Sequence, residues 1–219
     1  LLCSGAAQAA LPVSLDSGSG TLTVSSTASS TLSTAGISFG ALAGSTTSTS
    51  GSTLTQAATD ISTNAAATSL TDIDFLGSGW QLKNSSLTIN YTNISVDLSS
   101  KVIYADVSDA LGAQSHFDLF NIGTAPAATL PALSAGQTGN FSTTLSGLTL
   151  TSNAANRIAQ VGNLNAFIAS YLQTLDFGTF AINGTAQAPA AAVPEPSTYA
   201  LVGLGLLAVG AVARRRRAA

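Results

Sequence analysis

The sequence predicts a mainly β protein: a single β-rich domain, sandwich-like, with one or two packed helices, followed by a C-terminal transmembrane helix. Three observations carry the prediction. Short segments rich in Thr, Val, Ile and Tyr alternate polar and apolar residues between Thr21 and Thr151, the period of a strand with one buried face. Strand patterns do not alternate with long helical ones, so a parallel βαβ sheet is not expected. An uncharged run from Tyr199 to Ala213 stands directly before four arginines. With 219 residues, 45% hydrophobic and 8% charged, the chain can bury one core plus terminal appendages. It carries too little charge for polyelectrolyte disorder.

The elements follow in chain order. Residues 1–9 read as the remainder of a signal peptide. Leu1-Leu2 ends an apolar stretch, and Ala7-Gln8-Ala9 has the small-x-small pattern that a signal peptidase requires. Cleavage there would remove Cys3, whose single thiol has no internal disulfide partner. Methionine is absent even at position 1, so we expect sequence to precede Leu1. Residues 10–185 form the β-rich domain. Thr21–Ser25, Leu87–Tyr91, Ile94–Leu98, Lys101–Val107 and Leu148–Thr151 read as strands. Leu98-Ser99-Ser100-Lys101 is a tight connection between two of them. From Asn153 to Leu175, apolar residues recur at spacings of three and four, which predicts a helix with one apolar face, capped by Ser152 or Asn153 and interrupted at Gly162. Ser45–Thr53 is of low complexity and reads as an exposed loop. Residues 186–192 read as an Ala/Pro linker.

Two stretches read either as an internal repeat or as chance similarity within a Thr/Ser-rich chain. GTLTVSSTASSTL (20–32) aligns with GLTLTSNAANRI (147–158) when Leu22 is set on Leu148, and ISFGAL (37–42) with LDFGTF (175–180). Each copy predicts a strand, a helix and a strand carrying Phe-Gly, with about a dozen extra residues in the second copy.

Residues 193–219 have a different texture. Pro194 and Pro196 keep the backbone extended, with Glu195 presented between them. The apolar run that follows is shorter than the roughly 20 residues that span a bilayer comfortably, but flanking residues extend it and arginines snorkel. Arg214, Arg215, Arg216 and Arg217 would hold the C-terminus in the cytoplasm and leave the body outside. Val193, Pro194, Glu195, Pro196 and Ser197, the apolar helix and the arginine cluster, in that order, resemble the PEP-CTERM sorting signal of Gram-negative bacteria. The resemblance covers about the last 27 residues. It implies an inner-membrane precursor processed by an exosortase-type membrane protease, in a setting of exopolysaccharide production. The middle of the chain, around Tyr104-Ala105-Asp106-Val107 and Leu148–Ala155, resembles bacterial surface domains of the HtaA type. That resemblance implies haem binding, with no residue carried over.

Candidate chemistry is sparse. His116 is the only histidine, and strand alternation points Ser115 to the opposite face, so no local Ser/His pair forms. Asp72 and Asp74, two apart, share a face if the segment is a strand. They could contribute oxygen ligands to calcium, but a solvated strand face is the preferred reading. Asn-x-Ser/Thr occurs at Asn84, Asn90, Asn93, Asn140 and Asn183. Trp80, Tyr91, Tyr104, Phe117 and Phe120 are assigned to the core. Only Lys83, Lys101 and Arg157 are basic before the tail, against ten acidic residues in the chain, so no nucleic-acid footprint exists there. We therefore expect an exported, non-enzymatic envelope or matrix protein associated with exopolysaccharide, without catalytic residues, metal or cofactor. A small-ligand module, haem being the first ligand to test, and a secreted hydrolase are the alternatives.

Overall fold

Period-two alternation in this chain builds one antiparallel sheet. The computed structural model describes residues 12–190. Strand β1 (Ser14–Val24) leads into helix α1 (Ser26–Thr34) and then β2 (Ser38–Ala41), β3 (Ser48–Ser50), β4 (Thr53–Ala57) and β5 (Asp60–Thr63). Four long strands follow: β6 (Leu70–Lys83), β7 (Thr88–Asp97), β8 (Val102–Asp109) and β9 (Gly112–Thr124). The described chain closes with β10 (Thr138–Leu150), α2 (Ser152–Val161), α3 (Ala166–Thr174) and β11 (Gly178–Gln187). β11 thus continues past residue 185, and Ala186 and Ala188 are buried.

The sheet runs β2-β6-β7-β8-β9-β10-β11-β1-β4-β3, with β5 added on β6. This corrects the sandwich expected from the sequence. The reason lies at Ala58-Thr59. The segment 53–63 pairs with β1 through its first half and with β6 through its second. Ala58 N donates to Gly18 O at 2.9 Å and Thr59 N to Asp74 O at 2.8 Å across the bend. One continuous segment, β4 followed by β5, is thus shared between β1 and β6 and curls the sheet into a nearly closed barrel. Alternation alone cannot distinguish this from two stacked sheets, since both bury every second residue.

The buried faces supply one core. Trp80, Tyr91, Phe75 and Phe180 are its largest fully buried side chains. Phe75 and Phe180 meet edge to face at 5.5 Å, and Trp80 packs on Phe180 and Phe120 at 6.1 and 6.4 Å. Gly20 makes room for this cluster: a Cβ there would lie 2.6 Å from ring atoms of both Phe75 and Phe180.

Both helix starts repeat the same geometry. Ser25 caps α1 by accepting from Ala28 N at 3.0 Å, and its hydroxyl donates to Asp176 O at 2.6 Å. Thr151 caps α2 by accepting from Ala154 N at 3.1 Å, and its hydroxyl donates to Asp118 O at 2.7 Å. Their amides donate to Phe177 O and Leu119 O. The helix ends also match, with Gly36 and Asn163 both left-handed at φ 67° and 51°. These are the residues that setting Leu22 on Leu148 brings together at the helix starts. The extra residues of the second copy form α3, and Gly162 is the C-cap of α2.

Four local expectations differ, the first being the cap of α2, which is Thr151 rather than Ser152 or Asn153. Ser45–Thr53 contributes the β3–β4 hairpin around Gly51 rather than a loop alone. Leu87–Tyr91 and Ile94–Leu98 are one strand, β7, with a bulge at Asn93. Phe167 and Tyr171, expected on the apolar face, are 75% and 44% exposed, because α3 buries Ala169 and Leu172 instead. Among the described residues no helix is long and apolar enough to cross a membrane. The expected C-terminal membrane helix and the signal-peptide remainder lie outside the described residues.

Candidate functional site

Two features of the barrel concentrate side chains that the core does not use. The first is on the outer face. The register places Asp60, Asp74, Ser95, Tyr104 and Asp118 in one row across β5 to β9. Asp72 and Asp97 form a second cross-strand pair beside it. The expected shared face of Asp72 and Asp74 is therefore present. Burial, then the Asp74 and Asp97 carboxylates, push the pKa of Asp72 up to about 6. Burial and Asp60 raise that of Asp74.

Tyr104 is half-buried on this outer face rather than in the core. His116 stacks on it, ring centroids 4.0 Å apart and 13° from parallel. The backbone at His116 is left-handed, φ 50°, at the β8–β9 register shift, and its amide donates to Asp106 Oδ1 at 3.0 Å. Asp106 Oδ2 accepts from Asn93 Nδ2 at 2.9 Å, and Asn93 Oδ1 accepts from Gly77 N at 3.0 Å. Bulges on β6, β7, β8 and β9 are thus laced by polar side chains into one crease. His116 serves that crease through its amide and a stacked aromatic pair through its ring. Among the described residues no group of three or more His, Cys, Asp or Glu is placed to hold a metal ion.

The second feature is a groove of about 440 Å³ between α1, β2 and the β3–β4 hairpin. Its floor is apolar, made by Val24, Leu32, Ile37 and Leu54, all buried. Exposed hydroxyls of Ser29, Ser33, Ser38 and Ser52 form its rim. Phe39, whose ring meets Trp80 edge to face at 6.2 Å, lies between the two zones. No lining residue is charged, and none carries an imidazole, phenol or thiol.

Neither feature accounts for the unusual end of the chain, where comparison with known proteins is decisive. Residues 192–217 match the PEP-CTERM protein-sorting motif. The PEP-CTERM motif marks a chain exported as a membrane-anchored precursor and processed for secretion. The stretch includes Val193–Ser197 and Arg214–Arg217, both outside the described residues. The fold of the body is similar to the crystal structure of the C-terminal domain of HtaA from Corynebacterium glutamicum. The two are 14% identical with a TM-score of 0.52, over 80% of this chain and 99% of that one. No curated protein matches the chain.

Sequence reasoning singled out Asp72, Asp74 and His116 without giving them a role, and pointed at the C-terminus to the motif matched over residues 192–217. It missed the Tyr104–His116 stack and the groove, which are assembled from strands and turns distant in sequence. The dozen residues that the first copy lacks between its helix and its Phe-Gly strand were the available signal for the groove.

Proposed function

We propose that this chain is exported across the inner membrane and held there by residues 193–219. The Val193–Ser197 segment is the processing motif for an exosortase-type protease, and Arg214–Arg217 fix the topology. The barrel then serves as a non-enzymatic component of the cell surface or extracellular matrix, associated with exopolysaccharide. The observation that carries this reading is the PEP-CTERM match over residues 192–217. Two properties of the body support the matrix role. Its surface is polar but weakly charged, with only 8% charged residues in the chain, which suits repeated contact with hydroxyl-rich polymers. Phe167 and Tyr171 also expose aromatic rings on α3, as sugar-contacting surfaces do.

Mass spectrometry of both mature termini tests the processing. We expect the mature chain to lack the arginine cluster, and substitution of Pro194, Glu195 and Pro196 by alanine to retain it in the membrane fraction. An unchanged matrix in a deletion strain, with no affinity of the protein for exopolysaccharide, would count against the matrix role. The similarity of fold to the HtaA domain favours a second reading, a small-ligand module with haem as first ligand. A Soret band on titration, lost on changing a tyrosine or His116, would select it.

A further inference from the structure

We propose that the groove beside α1 binds an uncharged sugar unit of a polysaccharide. This rests on the exopolysaccharide-associated reading and names its site. The inference starts from the repeat. Because α1 and α2 begin on equivalent caps, Ser26, Ser29 and Ser33 of α1 correspond to Ser152, Ala155 and Ala159 of α2. In the second unit this helix face is covered. Ser152 Oγ donates to Gln173 Oε1 of α3 at 3.0 Å, and Ala155 and Ala159 are buried. In the first unit the chain passes from α1 directly to β2, with no counterpart of α3. The same face stays open, and serines stand exposed where the covered copy has alanines. A groove of about 440 Å³, within the roughly 300–1,000 Å³ of small-molecule sites, is left where the second unit has a helix.

The chemistry of the lining selects the ligand. A sugar ring presents an apolar C–H face and a rim of hydroxyls. The first matches the floor of Val24, Leu32, Ile37 and Leu54. The second matches Ser29 and Ser33, whose hydroxyls both donate and accept. Residues 12–190 hold nine carboxylates against three cations, so a polyanion would be repelled from the body. A cation would find no carboxylate in the groove. Haem iron would find no histidine, tyrosine, cysteine or methionine to ligate it. A helix docked as α3 is would need an apolar stripe opposite it, and the serine rim does not offer one.

The test titrates the full-length chain, in mild detergent, with the neutral fraction of exopolysaccharide from its own host. We expect saturable binding that added salt does not weaken. Affinity should fall by about tenfold or more in Ser33→Phe, which fills the groove from an exposed position. The double variant Ser29→Ala/Ser33→Ala, which copies the covered helix face and raises helix propensity, should lose affinity as well. Thermal midpoints at or above that of the parent show that the loss is not unfolding. Parent-like affinity in both variants overturns the site. If Phe167→Ala/Tyr171→Ala abolishes binding while the groove variants do not, the polysaccharide reading stands and the groove assignment falls. Absence of binding by the parent chain removes both. A haem Soret band lost in the groove variants overturns the sugar assignment.

Discussion

Burial and two neighbouring carboxylates push the pKa of Asp72 up to about 6, against an ordinary value near 4. The folded state therefore binds more protons than the unfolded chain between about pH 4 and 6, and stability falls as pH rises through that window. Above about pH 6 the ionised group stands against the Asp74 and Asp97 carboxylates. Asp72→Asn is expected to stabilise the protein at pH 7 by about 1 kcal/mol, after discounting for solvent screening of a half-exposed group. Urea titrations from pH 4 to 8 would show a flattened profile in the variant. A steeper profile would contradict the assignment. Arg157 behaves oppositely. Its Nε and Nη2 donate to Asp109 Oδ2 and Oδ1 at 2.7 and 3.0 Å, its guanidinium lies 5.5 Å from the Phe117 ring, and the Asp109 side chain is fully buried. Removing the cation strands that carboxylate, so Arg157→Ala should cost about 3 kcal/mol in a denaturation midpoint analysis. Asp109→Ala/Arg157→Ala should cost less than the two single changes combined.

At the scale of elements, the two strand–helix units predict matched behaviour. Ser25→Ala and Thr151→Ala each remove a helix cap and a hydroxyl bond to a main-chain carbonyl, of Asp176 and Asp118 respectively. Each is expected to cost about 1–2 kcal/mol. Thr151→Ala should cost more, because Thr151 is buried and Ser25 is not. A reversed order in chemical denaturation would argue against equivalent roles. The repeat, the break at Gly162 and the Leu98–Lys101 turn were legible because each depends on neighbours in sequence. Other elements were not. β6 changes its inward set across a bulge at Leu76–Ser78 opposite Asn93, so a fixed period of two does not describe it. β3 is drawn from Ser and Thr alone, which gives no hydrophobic period to read. Phe167 and Tyr171 fit an apolar stripe in the sequence, yet α3 turns Ala169 and Leu172 inward because α2 already fills the space beneath. At the sites, the spacing of Asp72 and Asp74 was enough to place them on one face. Tyr104 and His116 lie on different strands, and only the register brings their rings together.

At the scale of the whole molecule, barrel closure depends on one bend, and this is the feature the alternation pattern could not reveal. Thr59 sits where the shared strand leaves β1 for β6. Its hydroxyl donates to Asp74 O at 3.0 Å and accepts from Leu76 N at 2.9 Å, beside the main-chain bond from its own amide. Thr59→Val keeps the shape of the side chain and deletes both hydroxyl bonds. Because Thr59 is exposed, water replaces part of the loss, and the global cost should be only about 1 kcal/mol. The local cost is larger in effect, since at this bend the segment 53–63 leaves β1 for β6. Hydrogen exchange should therefore speed up at Ile61 and Leu76, while amides paired between β7, β8 and β9 keep their protection. Uniform acceleration over all strands would mean that closure and the rest of the sheet open as one cooperative unit, and that the seam at Ala58-Thr59 is not separable from the core it encloses.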